Sequence, residues 1–306
     1  MDLADGTCQL QVGDLRTLGF GLRRLLGARR TTCSARHDSN NISFLIERRP
    51  LGRTGLDVPV IGMGTWRTFD TRDDRRPLVD AALGFGVDLF DSSPMYGRAE
   101  QTLGRALQGR RDRVLIATKV WTPDAAEGRR QADNALRLYG HVDVYQVHNL
   151  VNWQAQLALL EEFKEEGKVR VVGATHYQPS AFGELAELMR GGRLEMVQLP
   201  YNPLRREAER ELLPLAAELG LGVLVMSPLQ HGVMDHDPGP RRLDELGVRS
   251  WPEAVLKWIA SDHRVSCVLS ATTRVDHLEQ NTRAGAGPWP DQAWRQEVAA
   301  IAAGQS

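Results

Sequence analysis

The sequence predicts an α/β fold of the (β/α)8 type: a TIM barrel over residues 47–306, preceded by an N-terminal extension over 1–46. Three observations point there. After Glu47, short and almost continuously apolar segments alternate with stretches of helical periodicity. Strands of that kind are covered on both faces, which means parallel pairing with helices outside. Eight such units occupy about 240 residues, the size of a closed eight-stranded barrel. An open doubly wound sheet is the rival, but it needs a glycine-rich phosphate turn after its first strand. The turn present there, "GMGTWR", is not GxGxxG.

The elements follow in order. "LDVPVIGMGTW" is an apolar run closed by glycines, and "DDRRPLVDAALGFG" has helical spacing with a glycine stop. "VDLFD" reads as a buried strand, "AEQTLGRALQG" as a helix, "RVLIATK" as a strand and "AAEGRRQADNALRLYG" as a helix. Strand "VDVYQVH", helix "WQAQLALLEEFKEEGK", strand "VRVVGAT" and helix "SAFGELAELMRGG" come next. They lead to strand "EMVQLPYN", helix "EAERELLPLAAELG" and strand "GVLVMSPL". Helix "SWPEAVLKWIASD", strand "VSCVLSA" and helix "RVDHLEQNTRAG" complete the pattern.

The totals narrow the partners. A hydrophobic fraction of 42% with 25% charged residues is globular, and a net charge of −1 gives no electrostatic reason to expect nucleic acid or an anionic membrane. No run of about 18 apolar residues offers a membrane span. Cys8, Cys33 and Cys267 are too scattered for a disulfide framework or a zinc site, so a reducing cytoplasm is expected. The first 46 residues differ in kind, with arginines at 16, 23, 24, 29, 30 and 36 and few acids. A disordered tail, a targeting segment and translation from an upstream start codon all fit that composition; an extension without fixed structure is the expectation.

In a barrel, chemistry gathers at the C-terminal ends of the strands. Asp91 ends the second expected strand and Tyr96 lies in the loop beyond it; Lys119 ends the third and His148 the fourth. The intervals of 28 residues (91 to 119) and 29 (119 to 148) are one repeat each, so all four converge on one mouth. Singly, each has an ordinary explanation: a helix-capping aspartate, a packed tyrosine, a snorkelling lysine, a core histidine. Jointly they make a site, because a lysine beside an apolar strand needs a carboxylate partner and Asp91 supplies one. Tyrosine ordinarily titrates near ~10, and a neighbouring ammonium lowers that value. The set thus reads as a phenol made acidic by Lys119, aimed at an oxygen that His148 also addresses. A lysine Schiff base is the other chemistry a barrel offers, but pairing with Asp91 keeps Lys119 protonated. With no internal nucleophile, hydride from a nicotinamide fits.

These residues resemble the aldo-keto reductase family. "RPLGRTGLDVPVIGMGTW", "FDSSPMYGRAEQTLGRAL", "LIATK", "VDVYQVH", "GKVRVVGAT", "VQLPYN" and "LVMSPL" are similar to its blocks, in the right order, across 47–285. The resemblance implies NADPH-dependent reduction of aldehydes and ketones, with NADH possible. Its catalytic tetrad falls on Asp91, Tyr96, Lys119 and His148. Its cofactor positions fall on Gly64, Thr65, Thr175, His176, Gln198, Met226, Ser227, Leu229, Thr272, Thr273, Arg274, Gln280 and Asn281, and its substrate positions on Trp66, Met95 and Trp121.

Departures accompany the match. His176 replaces the family asparagine that binds the carboxamide, and Met226 replaces an aromatic that stacks on the ring, which a polarisable sulfur can still cover. The lysine and arginine that many members set against the 2′-phosphate fall on Ala271 and His277, leaving Arg274 to grip it beside a helix N-terminus. Helix capping is the plain alternative for Thr272 and Thr273. Trp153 joins Trp66 and Trp121 just beyond the strand ends, and an aromatic mouth suits apolar or aromatic small-molecule carbonyl compounds. The long loop after Met226 is able to cover a bound molecule. No metal is expected from its "HGVMDHD", where a glycine interrupts the ligand types and Pro238 follows them. A competing expectation is a barrel that binds NADPH as a redox-sensing or regulatory subunit.

Overall fold

The computed structural model describes residues 46–305, so the extension expected over 1–46 lies, apart from Ile46, outside the described residues. Ile46 itself is buried in the core.

Ten strands are present among the described residues. A short antiparallel hairpin, β1 (Arg48–Pro50) and β2 (Asp57–Pro59), precedes the barrel. The barrel strands are β3 (Ile61–Gly64), β4 (Leu89–Asp91), β5 (Leu115–Val120), β6 (Val142–His148), β7 (Val169–Thr175), β8 (Met196–Pro200), β9 (Gly222–Met226) and β10 (Cys267–Ser270). They pair in parallel, each with the next, and β10 closes onto β3. The eight-stranded barrel expected from the sequence is thus the one found.

Helices fill the connections: α1 (Arg76–Gly84), α2 (Ala99–Ala106), α3 (Ala125–Tyr139), α4 (Trp153–Glu165), α5 (Phe182–Arg190) and α6 (Leu212–Leu219), then α7 (Pro240–Glu245), α8 (Trp251–Ala260), α9 (Val275–Arg283) and α10 (Gln292–Ala302). Three helix starts among the described residues, those of α3, α8 and α10, are set by capping side chains. Asp124 accepts from the Glu127 amide at 2.7 Å, Ser250 from the Glu253 amide at 3.3 Å and Asp291 from the Trp294 amide at 2.9 Å, each satisfying a donor the helix leaves free. The helix expected from Glu207 instead breaks into a 3-10 turn at Glu207–Glu209 followed by α6. Pro214 has no amide hydrogen, so it is accommodated in the first turn of α6 rather than mid-helix.

Two cores result. The larger lies between the strands and the helical ring. The smaller fills the barrel interior, where Leu89, Ala117, Val144, Val171, Met196, Leu224 and Cys267 meet Leu51, Leu56 and Val58 of the hairpin. The hairpin therefore plugs the end opposite the strand C-termini. Gly173 faces this interior, where a Cβ would come within 2.1 Å of the Met196 sulfur. Because strand side chains alternate, the interior residues fix which later positions face inward. Leu89 implies Asp91; Ala117 implies Lys119; Val144 implies Gln146 and His148; Val171 implies Thr175; Met196 implies Gln198; Leu224 implies Met226.

Candidate active site

Apart from Met226, the inward positions named at the upper end of the barrel are polar where the lower ones are apolar. Lys119 is fully buried and Asp91 is 4% exposed, and they form an ion pair at 2.6 Å. Lys119 Nζ also donates to the Ser92 carbonyl at 2.9 Å. An ammonium has three hydrogens, so one is left for the phenol of Tyr96, whose ring centroid lies 5.2 Å from Nζ. His148 meets Tyr96 edge to face, with ring centroids 5.9 Å apart and planes at 89°. The four strand-end residues singled out in the sequence are brought into one cluster.

Asp91 is held from both sides. Its Oδ2 accepts from Gln146 at 3.2 Å and from Gln198 at 3.1 Å, and Gln198 in turn accepts from the Thr175 hydroxyl at 3.4 Å. Thr65 ties the neighbouring strand in, its amide donating to the Asp91 carbonyl and its hydroxyl to Ser92. The acid is thus an acceptor hub at the centre of the barrel mouth.

The electrostatics follow from burial and partners. Burial pulls the Lys119 ammonium down, but Asp91 and Tyr96 outweigh it and hold the value above the ordinary lysine range. Burial drives His148 down to about 2, with Lys119 and His176 adding to the effect, so the imidazole is neutral. Tyr96 corrects the sequence reading. Burial pushes the phenol above its ordinary value; Lys119 pulls it back but does not overcome burial, and Asp91 adds to the rise. The ammonium therefore limits the cost of forming a phenolate without making the phenol acidic.

The positions expected to hold a dinucleotide scatter more. Thr175 and Gln198 are buried beside Asp91, and Met226, Ser227 and Leu229 lie partly exposed at the end of β9. His176 stacks in parallel on Tyr177, with centroids 5.6 Å apart, and accepts from the Gln178 amide. Gly64 ends β3 in register with Asp91. At the start of α9, Thr272 accepts from the Arg274 amide at 3.1 Å, a local turn contact, while Thr273 is exposed. Asn281 is buried and donates to Ser270 at 3.1 Å, and Gln280 is half-buried. Arg274 does not stand free: its guanidinium is paired with Asp276 on the same turn at 2.5 Å. A carboxylate two residues along the chain competes for the fork expected to face a phosphate.

The rim is aromatic. Trp66, Met95 and Trp121 are 39%, 45% and 40% exposed, a high value for side chains this apolar. Trp153 instead turns its indole to Glu184 on α5. Six non-glycine residues adopt positive φ among the described residues: Arg67, Asn149, Leu150, Asn152, Ser227 and His231. All follow the C-terminal ends of β3, β6 or β9, and backbone strain of this kind concentrates at functional mouths. No group of three or more His, Cys, Asp or Glu is arranged to hold a metal ion among the described residues.

Two residues escaped the sequence reading. Gln146 shares the inward face of β6 with His148, a signal that period-two alternation carries. Ser93 is completely buried, and its hydroxyl lies 2.9 Å from His148 Nδ1. It stood inside the "FDSSPMYGR" block without a feature to mark it.

The family model described as "Aldo/keto reductase family" matches residues 60–302. Among curated relatives, the NADH-specific methylglyoxal reductase of Escherichia coli (strain K12) is 26% identical, the alignment covering 78% of this chain and 93% of that protein. The L-glyceraldehyde 3-phosphate reductase of the same organism is 25% identical over 78% of this chain and 87% of its own. An aldo-keto reductase from Klebsiella pneumoniae, solved in complex with NADPH, superposes with a TM-score of 0.67 at 23% identity, covering 79% of this chain and 90% of that one. The holo form of an aldo-keto reductase from Bacillus halodurans gives 0.71 at 24%, covering 84% and 96%. These structural likenesses show the shared fold.

Proposed function

The chain belongs to the aldo/keto reductase family, and we propose that it reduces an aldehyde or ketone to the alcohol at the expense of a nicotinamide, with Tyr96 as the proton donor. The observation that carries the reading is the phenol set between a fully buried ammonium and a neutral imidazole, at an aromatic mouth.

The residues at the mouth suit a nicotinamide. Gln198 spends one amide hydrogen on Asp91 and keeps a second to donate. Thr175 donates to Gln198 and keeps lone pairs to accept. That donor and acceptor pair matches a carboxamide. When bound, the reduced nicotinamide supplies hydride to the carbonyl carbon. NADPH is named in the Klebsiella structure and NADH in the Escherichia coli relative, so both are candidates here.

The protein's part is to manage charge on the carbonyl oxygen. Tyr96, kept protonated by burial, gives its proton to that oxygen as negative charge develops there. Lys119 stabilises the phenolate that remains, being held charged and in place by Asp91 and the Ser92 carbonyl. Asp91 is oriented by Gln146 and Gln198. His148, neutral, offers a hydrogen bond to the same oxygen. Trp66, Met95 and Trp121 exclude water and favour apolar substituents.

The test is a carbonyl panel assayed with each nicotinamide by loss of absorbance. Methylglyoxal, glyceraldehyde 3-phosphate and 4-nitrobenzaldehyde span small polar, phosphorylated and aromatic substrates. Oxidation of either nicotinamide with alcohol formed supports the reading. Tight NADPH binding with no turnover on any carbonyl points instead to the redox-sensing barrel, a reading that the altered carboxamide position at His176 keeps open.

A further inference from the structure

We propose that Ser93 is a positioning residue that selects the His148 tautomer, leaving the hydrogen on Nε2 where it faces the mouth. The inference deepens the proposed reduction and rests on that reading for its kinetic consequence, although the tautomer itself does not.

His148 is neutral, so its ring has one N–H and one bare nitrogen. Nδ1 lies 2.9 Å from Ser93 Oγ, in a fully buried position of the loop after β4. The bond between them runs in one of two directions. If Nδ1 carries the hydrogen and donates to Oγ, the serine hydroxyl must send its own hydrogen elsewhere. No other acceptor for it exists among the described residues. Ser93 Oγ already accepts from the Met95 amide at 3.2 Å, and that contact takes a lone pair, not the hydroxyl hydrogen. The serine hydrogen would then be sealed without a partner, a desolvation cost that the opposite direction avoids. If instead Ser93 donates to Nδ1, every hydrogen is used: Met95 donates to Ser93, Ser93 donates to His148, and Nε2 holds the ring hydrogen.

Nε2 is the free end of that chain. It has no hydrogen-bond partner among the described residues and is not among the atoms closed off from solvent. An Nε2–H therefore points out of a fixed three-member relay as a donor suited to a carbonyl oxygen. With the opposite tautomer, Nε2 would present a lone pair and repel that oxygen. The serine thus sets the sign of the interaction, and its burial fixes the ring orientation that goes with it.

The test uses the whole protein, labelled with 15N-histidine. In the wild type, His148 is expected as a single neutral tautomer with the proton on Nε2 and Nδ1 in the shift range of a hydrogen-bonded acceptor. Ser93→Ala should move the Nδ1 resonance toward that of an unbonded nitrogen. It should also lower kcat roughly tenfold, well short of the 10²–10³ that loss of a whole oxyanion donor costs, and leave nicotinamide affinity unchanged. A wild-type proton on Nδ1 overturns the proposal, as does a Ser93→Ala protein whose Nδ1 signal is unmoved. An absence of turnover in the wild type would defeat the reductase reading while leaving the tautomer measurement to decide this one.

Discussion

Lys119 reaches across from β5 to place its ammonium 2.6 Å from Asp91 on β4, at a depth where the lysine has no solvent exposure at all. A charge so placed is tolerable only while its partner remains, because removing one member of a buried pair leaves the other uncompensated. Asp91→Asn keeps the shape and removes the charge. It should destabilise the fold by about 3–5 kcal/mol, read from the midpoint of urea unfolding. A loss below about 1 kcal/mol, the scale of a surface pair, would mean that the barrel mouth solvates Lys119 by other means.

Glu100, at the start of α2, is 2% exposed and accepts from the Thr118 hydroxyl, next in sequence to Lys119. Burial pushes its carboxyl up from 4.5 to about 7, against the opposing pulls of Thr118 and Lys119. Between those values the folded protein binds a proton that the unfolded chain has released. Stability from this group is therefore full below about pH 4.5 and is lost as pH rises through about 7. The difference is on the order of 3 kcal/mol. Glu100→Gln keeps the hydrogen-bonding shape without the charge, so it should gain on the wild type as pH is raised from about 5 to about 8. Parallel stability curves for the two proteins would remove Glu100 from the account.

If Arg274 meets a 2′-phosphate, as the resemblance implies, it sets the choice of nicotinamide. Its fork is held by Asp276 at 2.5 Å, both side chains being exposed, and a 2′-phosphate would have to displace that carboxylate. Two substitutions should pull in opposite directions. Arg274→Ala should weaken NADPH roughly 10- to 100-fold, the worth of charged hydrogen bonds, with little change for NADH. Asp276→Asn should free the guanidinium and tighten NADPH alone. Competitive titrations that shift both nicotinamides equally would show that Arg274 does not meet the phosphate.

The barrel was legible because its grammar is local. Strands β6 and β7 carry no register ambiguity, and the expected "VDVYQVH" and "VRVVGAT" coincide with Val142–His148 and Val169–Thr175. The hairpin was not, because Arg48–Pro50 and Asp57–Pro59 are three residues each and too short to show alternation. Nor was α10, whose cap at Asp291 follows a proline and a tryptophan rather than an apolar run. At the site, strand ends announced which residues share a mouth. They did not announce burial, which is a property of the assembled barrel. Hence the ammonium beside Tyr96 was foreseen while the upward push on the phenol was not, and neither was Asp276 closing on Arg274, a pairing set by the turn geometry of α9.

The proposed proton transfer from Tyr96 is tested most directly by a pre-steady-state comparison of wild type and Tyr96→Phe with nicotinamide already bound and a reactive aldehyde added. Reduction should slow by ~10²–10⁴ in the variant, while the Kd for the nicotinamide stays within about twofold. Reduction at the wild-type rate with the phenol absent would contradict it.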